Sequence, residues 1–312
     1  MTEIVSLGSI NVDRVHRTTE ARLTDLEGTF DWFPEPGETV AVPEIPSEFT
    51  DLDTTRFHGG KGANQAVAAA AAGAEVTMLG KVGPDHADDE VLEALRNSGV
   101  RVDRVGVASA RTGTAHVFVT DDGENRIVVH GGANEAVDSA YVTERYETIT
   151  SAEYLVVQNE VPVGPVCDLL EELATSESSP TVLLDPAPIA GVEPLLDRDV
   201  VDIVTPNDRE YSQLRSALEA FDGTVIHTRG EKPVRVDGTG QFSVSPPDLS
   251  PVDTTGAGDA FTGFLGGRLA AGDSLREAVA AATVAGALST RTEGARGGVP
   301  SYAAVQAWQT AE

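Results

Sequence analysis

Lysine is almost missing from this chain. It occurs only at positions 61, 81 and 232, so the 22 basic residues are mostly arginine, set against 50 acidic ones for a formal net charge of −28. A surface this negative repels phosphate backbones and anionic lipid, which excludes nucleic acid and membranes as expected partners. Acid excess with so little lysine resembles adaptation to a salt-rich (halophilic) cytoplasm, where screening over about 3 Å at about 1 M salt mutes self-repulsion. Cysteine is reduced to Cys167, which excludes an internal disulfide framework and a multi-cysteine zinc site. The apolar neighbours Val166, Leu169 and Leu170 make that cysteine a core thiol rather than a nucleophile. No apolar run approaches the roughly 20 residues of a membrane span, and MTEIVSLGSINVD has no secretion-signal pattern. A cytoplasmic location is expected. Also absent are a G-x-x-x-x-G-K-[ST] loop, a G-x-G-x-x-G fingerprint, H-E-x-x-H, a G-x-S-x-G elbow and an acidic calcium loop. The six histidines are scattered without close pairing, so no metal triad is expected.

The 312 residues, 40% of them hydrophobic, are enough for one large core. Short apolar runs at 3–7, 75–79, 154–157, 181–184, 202–204 and 224–228 alternate with helical patterns near 61–72, 85–97, 138–150, 163–174 and 207–219. That rhythm predicts a mostly parallel central sheet covered by helices on both faces, a three-layer αβα sandwich. The alanine run 66–72 followed by Gly73 reads as a close-packed internal helix with a left-handed stop. Ser274 and Glu277 form a capping box for a buried helix ending near Thr290. Two stretches, about 11–57 and 98–130, break the rhythm with prolines and strand-like alternation, and are expected to form a small β lid over the strand ends. No linker divides the chain, so 1–312 reads as one domain with a flap.

Two glycine clusters carry the chemistry. In Asp253-Thr254-Thr255-Gly256-Ala257-Gly258-Asp259-Ala260-Phe261, small residues open a helix, and bare N–H groups at a helix start attract an anion. A carboxylate in that first turn can take a proton from a hydroxyl while the amides stabilise a transferring phosphoryl group. By themselves these residues leave open an ordinary helix cap with packing glycines. The second cluster, Gly59-Gly60-Lys61-Gly62-Ala63-Asn64-Gln65, exposes backbone beside polar side chains and suits a compact hydroxylated ligand, or else a tight strand-to-helix turn. Asn11 and Asp13 alternate in an extended segment and project to one side, as vicinal hydroxyls would require.

Together these strings resemble the ribokinase-like (PfkB) carbohydrate kinase family: SINVD (9–13), PGETV (36–40), GGKGANQA (59–66), GGAN (131–134), QNE (158–160), DPAP (185–188), TPNDRE (205–210) and DTTGAGDAF (253–261). The resemblance spans nearly the whole chain, and GGKGANQA points towards members that phosphorylate ribose. It implies that Asp259 is the catalytic base, that Gly256, Ala257 and Gly258 form the anion hole, and that Asn11, Asp13, Gly59, Gly60, Lys61, Asn64 and Glu160 hold the sugar. It implies ATP contacts at Asn207, Thr228, Gly230 and Gly258, magnesium near Glu210, and potassium near Asp253, Thr255, Ser289, Thr292 and Gly294. A homodimer paired through the lid is implied as well. Fructose, deoxyribose or a nucleoside are the alternative acceptors, and a sugar sensor without turnover is the distant one. The sequence departs from the family at Gly298, where a hydroxyl-bearing potassium ligand is usual, in extra residues between 11 and 36 that bear on specificity or dimer contact, in a shortened 207–228 region, and in the 229–233 loop.

Overall fold

The computed structural model describes residues 3–36, 38–50, 54–120, 125–238 and 240–311; Gly37 of the PGETV string lies outside them. All six expected strand windows become strands of one nine-stranded sheet. Its order is Phe242–Val244, Lys232–Asp237, Thr224–Arg229, Val201–Val204, Thr181–Asp185, Tyr154–Gln158, Ile4–Leu7, Val76–Leu79 and Val100–Arg101. The first two pair antiparallel and the rest run parallel. Successive side chains point to opposite faces, and both faces are buried. Ile4 joins a core shared with helices Lys61–Ala71, Ala257–Ala270 and Leu275–Ser289, while Val5 and Leu7 join another shared with helix Val163–Ala174. The sandwich has three layers, as the alternation requires.

Ile4–Leu7 sits where strand order reverses, between Val76–Leu79 and Tyr154–Gln158. Open α/β sheets bind ligands at strand carboxyl ends beside such a point, and Ser9 and Glu160 follow the two strands that flank it.

The two irregular stretches supply a second, five-stranded sheet ordered Thr39–Ala41, Asn125–His130, Gly113–Val119, Asn11–Arg17 and Thr55–Gly59. Asn11 and Asp13 therefore open a strand of this sheet rather than close the first strand of the large one. Register places Asp13 beside Phe57 and Ala115 on one face, and Arg14 beside Arg56 and His116 on the other. The second face is covered by the chain's own segment from helix Glu20–Thr29 onward, through Leu23, Leu26, Phe33 and Phe49 packed on Phe118 and Val128. The extra residues before position 36 thus lie on the side away from Asp13.

Other differences have physical reasons. The 138–150 window divides into Ser139–Thr143 and Tyr146–Thr150, and 207–219 divides at Leu214. Glu90, in a left-handed conformation (φ +51), separates a short 3-10 turn from helix Val91–Asn97. Gly73 does stop its helix at φ +104, and the Ser274–Glu277 capping box forms. The histidines are not all apart: His16 and His116 are buried and stacked, 2.8 Å between Nε2 and Nδ1. Cys167 is half-buried at the edge of the second core.

Candidate active site

Gly256 adopts φ +76, and a side chain there would meet the Ala295 backbone at 2.7 Å. Glycine is needed on both counts, for the left-handed turn and for the close approach. The turn starts helix Ala257–Ala270. The Ala257 N–H is bonded to Thr254 O at 3.2 Å; those of Gly256, Gly258 and Asp259 find no acceptor among the described residues. The expected anion-hole residues Gly256, Ala257 and Gly258 thus form the turn that opens this helix, and Ala257 and Gly258 line the cavity beside it. A Cβ on Gly258 would meet nothing within 4 Å, so the helix start faces open space.

Asp259 is 5% exposed, and the side chains bonded to its carboxylate are donors. Asn64 Nδ2 donates to Oδ2 at 2.9 Å and Gln65 Nε2 to Oδ1 at 3.0 Å, with Lys61 Nζ 3.6 Å from Oδ1. The carboxylate can only accept, which is the posture of a base. Lys61 also lies 3.3 Å from Asp185 Oδ2. Burial opposes its charge, but Asp185, Asp259, Glu160 and Glu210 outweigh burial and hold it protonated well above the usual lysine range.

The expected sugar residues converge on the same point. Lys61 N–H donates to Glu160 Oε2 at 3.1 Å, and Ser9 Oγ donates to the same oxygen. Burial raises Glu160 against the opposing pull of Lys61. A Cβ on Gly59 would overlap the Asp13 carboxylate, and Gly60 takes φ +86 against Asn11 N. Burial pushes Asp13 up to about 7; Arg296 pulls it down, while Glu160 and Asp259 add to the rise. Asn11 Oδ1 accepts from Asn134 Nδ2 at 2.7 Å, which gives the GGAN string a structural role.

Several residues here were not singled out as site residues from sequence. Gln65 Nε2 donates to Asp185 at 2.7 Å as well as to Asp259, and its Oε1 accepts from Gln158. Both Gln65 and Asp185 lay inside quoted strings, which was the available signal. Arg296 had none. Its Nε donates to Asn64 Oδ1 at 2.8 Å and its Nη2 to Gly59 O, while buried Nη1 has no partner among the described residues. Burial lowers Arg296 to about 10 despite Asp13 and Asp259.

Beside the helix start lies a cavity of about 270 Å³ lined by Thr228, Gly230, Gly258 and apolar residues including Val234, Leu249 and Phe261. It joins three of the four expected nucleotide residues. Asn207 does not line it: its Oδ1 caps helix Asp208–Gln213, and its N and Nδ2 donate to Glu210 at 2.8 and 2.6 Å. Burial, with the Asp185 charge, pushes Glu210 up to about 6. On the far side, Asp253 Oδ1 accepts from Thr255 N and Oδ2 from Gly294 N, both at 2.9 Å. Ser289, the last residue of helix Leu275–Ser289, is buried, whereas Thr292, on the loop that follows, is exposed. A Cβ on Gly298 would overlap Ser289 O.

A carboxylate at a helix start, a pocket of polar side chains and an adjoining apolar cavity suit a sugar phosphotransferase, and the match to the description "pfkB family carbohydrate kinase" over residues 39–301 decides it. The chain belongs to that family. This pfkB-family kinase is 37% identical over 287 residues to a ribokinase of Bacillus subtilis (strain 168), covering 89% of this chain and 93% of that one. It is 33% identical over 315 residues to a ribokinase of Lactococcus lactis subsp. lactis (strain IL1403), covering 98% and 97%. The solved Arabidopsis thaliana ribokinase complexed with ribose and ATP matches with TM-score 0.79 at 26% identity over 98% of both chains. As a pfkB-family carbohydrate kinase, the chain transfers a phosphoryl group to a sugar hydroxyl. No helix among its described residues is long and apolar enough to cross a membrane.

Proposed function

We propose that this kinase transfers the γ-phosphoryl group of ATP to the primary hydroxyl, O5, of D-ribose. The observation that carries the reading is Asp259, an acceptor-only carboxylate in the first turn of a helix whose start, at Ala257 and Gly258, lines the 270 Å³ cavity. Relatives named ribokinase, at 33% identity and above across most of their length, support ribose over the other sugars. Asn11, Asp13, Gly59, Gly60, Lys61, Asn64 and Glu160 hold the sugar. Asp259 takes the proton as the hydroxyl attacks, and the amides of Gly256, Ala257 and Gly258 stabilise charge on the transferring group. Adenine occupies the cavity beside Thr228 and Gly230. The five-stranded sheet closes over the sugar as a lid and keeps water from the phosphoryl group.

Magnesium fits at Glu210: each of its oxygens accepts one bond from Asn207 and keeps a lone pair for the waters such an ion retains. Bound there with ATP, it supplies charge neutralisation at the phosphates. Potassium fits the loop of Asp253, Thr255, Ser289, Thr292 and Gly294 by donor type, one carboxylate and several carbonyls. Gly298 adds no hydroxyl, and the overlap with Ser289 O leaves that ligand to water. A homodimer through the lid has to form around the covering segment from Glu20 onward; sedimentation at high salt reads the assembly.

Two measurements test the reading. ADP release over a panel of ribose, deoxyribose, fructose and nucleosides, in KCl and in NaCl, is expected to give the highest kcat/KM for ribose and faster turnover in potassium. A nucleoside preference overturns the acceptor, and equal rates in the two salts overturn the potassium site. Asp259→Asn is expected to lower kcat by about 10²–10⁴-fold with ribose affinity kept; near-normal turnover removes Asp259 from the chemistry, and tight ribose binding without ADP in the wild type indicates a sensor.

A further inference from the structure

A second cavity, about 470 Å³, opens on the face of the five-stranded sheet turned away from Asp13. Among the described residues its lining brings two guanidinium groups, Arg14 and Arg111, together with His116, His130 and Thr114, and one carboxylate, Glu44, in a chain of net charge −28. Register sets Arg14 directly beside His116, and Thr114 beside His130. Arg111 and Arg14 each have an acidic neighbour, Asp85 at 3.1 Å and Asp89 at 3.8 Å. Each neighbour engages one part of a guanidinium that carries five N–H donors.

The histidine pair fixes what else faces the cavity. His16 Nε2 and His116 Nδ1 share one proton across 2.8 Å, and His16 Nδ1 is buried without a partner among the described residues. If His116 donated, neutral His16 would carry its proton on that orphan nitrogen. A buried N–H without an acceptor is the rarer and costlier defect, compared with a bare lone pair. His16 therefore donates, and His116 carries its proton on Nε2. That N–H belongs to a side chain only 2% exposed that lines the cavity, and it meets no acceptor among the described residues. Burial, helped by Arg14, lowers both rings, His16 to about 4 and His116 to about 3, so both are neutral near pH 7.

We propose that this cavity is a second ligand site, for a small phosphate-type anion held by Arg14, Arg111 and the Nε2–H of His116; the Thr114 hydroxyl beside them donates to Thr112 O at 3.2 Å. Guanidinium groups and a neutral imidazole N–H are all donors, the set that phosphoryl oxygens need. The inference does not depend on which sugar the kinase takes. The shared chemistry is met by free phosphate or by a phosphate monoester, and the volume admits either. The site lies on the reverse of the strands that carry Asn11 and Asp13, so an occupant stiffens the lid from behind.

Trp32 reports on it, because its ring lies 6.4 Å from that of Phe49, a lining residue. In a Trp308→Phe variant it is the single tryptophan left of two. Inorganic phosphate and ribose 5-phosphate are titrated separately at constant KCl while Trp32 emission is followed. The expected result is a saturable change with at least one probe, with Kd raised about tenfold or more by Arg111→Gln or Arg14→Gln and unmoved by Asp259→Asn. A response to phosphate alone assigns the free ion, and a response to the ester alone assigns a phosphorylated metabolite. No saturable response to either, or one that both lid substitutions leave unchanged, overturns the proposal.

Discussion

Asp13 holds two opposed requirements in one carboxylate. Buried beside Glu160 and Asp259, it titrates at about 7 rather than at 3.8, yet a carboxylate that accepts sugar hydroxyls must be ionised. An acid whose pKa is raised on folding binds its proton more tightly in the folded chain. The stability that this contributes is complete below about pH 4 and lost as pH rises through about 7. Asp13→Asn is therefore expected to melt progressively higher than wild type between pH 4 and pH 8, while wild-type KM for the sugar falls over the same window. Melting curves that run parallel across that range would show that Asp13 does not titrate there. Glu210, raised to about 6, has the same sign, so only the difference between the two proteins isolates Asp13. The sequence exposed Asp13 and Asp259 because both sit in short strings whose spacing is set by strand and helix geometry. It did not expose Arg296, which enters from a loop, since no local pattern says where a loop side chain will point.

Helix Ala257–Ala270 brings Asp259 onto Asn64 and Gln65 because it lies unusually close to helix Lys61–Ala71. A Cβ on Gly263 would overlap Gln65 O and come within 2.6 Å of Ala68 Cβ, and one on Gly267 would come within 2.7 Å of Ala72 Cβ. This contact brings Asn64 and Gln65 onto Asp259. Gly263→Ala is expected to force the helices apart, at a cost of about 1–3 kcal/mol of stability, and to lower kcat because Gln65 and Asp259 separate. Denaturant melts and turnover together check this; loss of stability with full kcat would break the link between helix spacing and the base. The alanine run was legible at this scale, as were six parallel strands, since each is an apolar block between turn signals. Helix Glu20–Thr29 was not, because it covers a small sheet and buries only Leu23 and Leu26. Strands Lys232–Asp237 and Phe242–Val244 form the antiparallel edge, where exposed and buried positions mix and no continuous apolar run marks them.

For the molecule as a whole, the net charge of −28 sets how stability responds to salt. Many of its ion pairs are exposed, such as Arg17–Glu293 at 2.7 Å, which ties the small sheet to the Gly294 loop. Pairs of this kind are worth about 0–1 kcal/mol, so screening them costs little. The repulsion among the excess carboxylates is long-ranged and collective, and shrinking the screening length from about 10 Å at 0.1 M to about 3 Å at 1 M removes most of it. The melting temperature is accordingly expected to rise between about 0.1 and 2 M KCl by roughly 5 °C or more, the size of a change of about 2 kcal/mol in a chain of this length. NaCl should raise it equally, because screening depends on ionic strength and not on the identity of the cation. A melting temperature flat in both salts would mean that the carboxylates are spaced too widely to repel, and a rise in KCl alone would assign the effect to bound potassium rather than to screening.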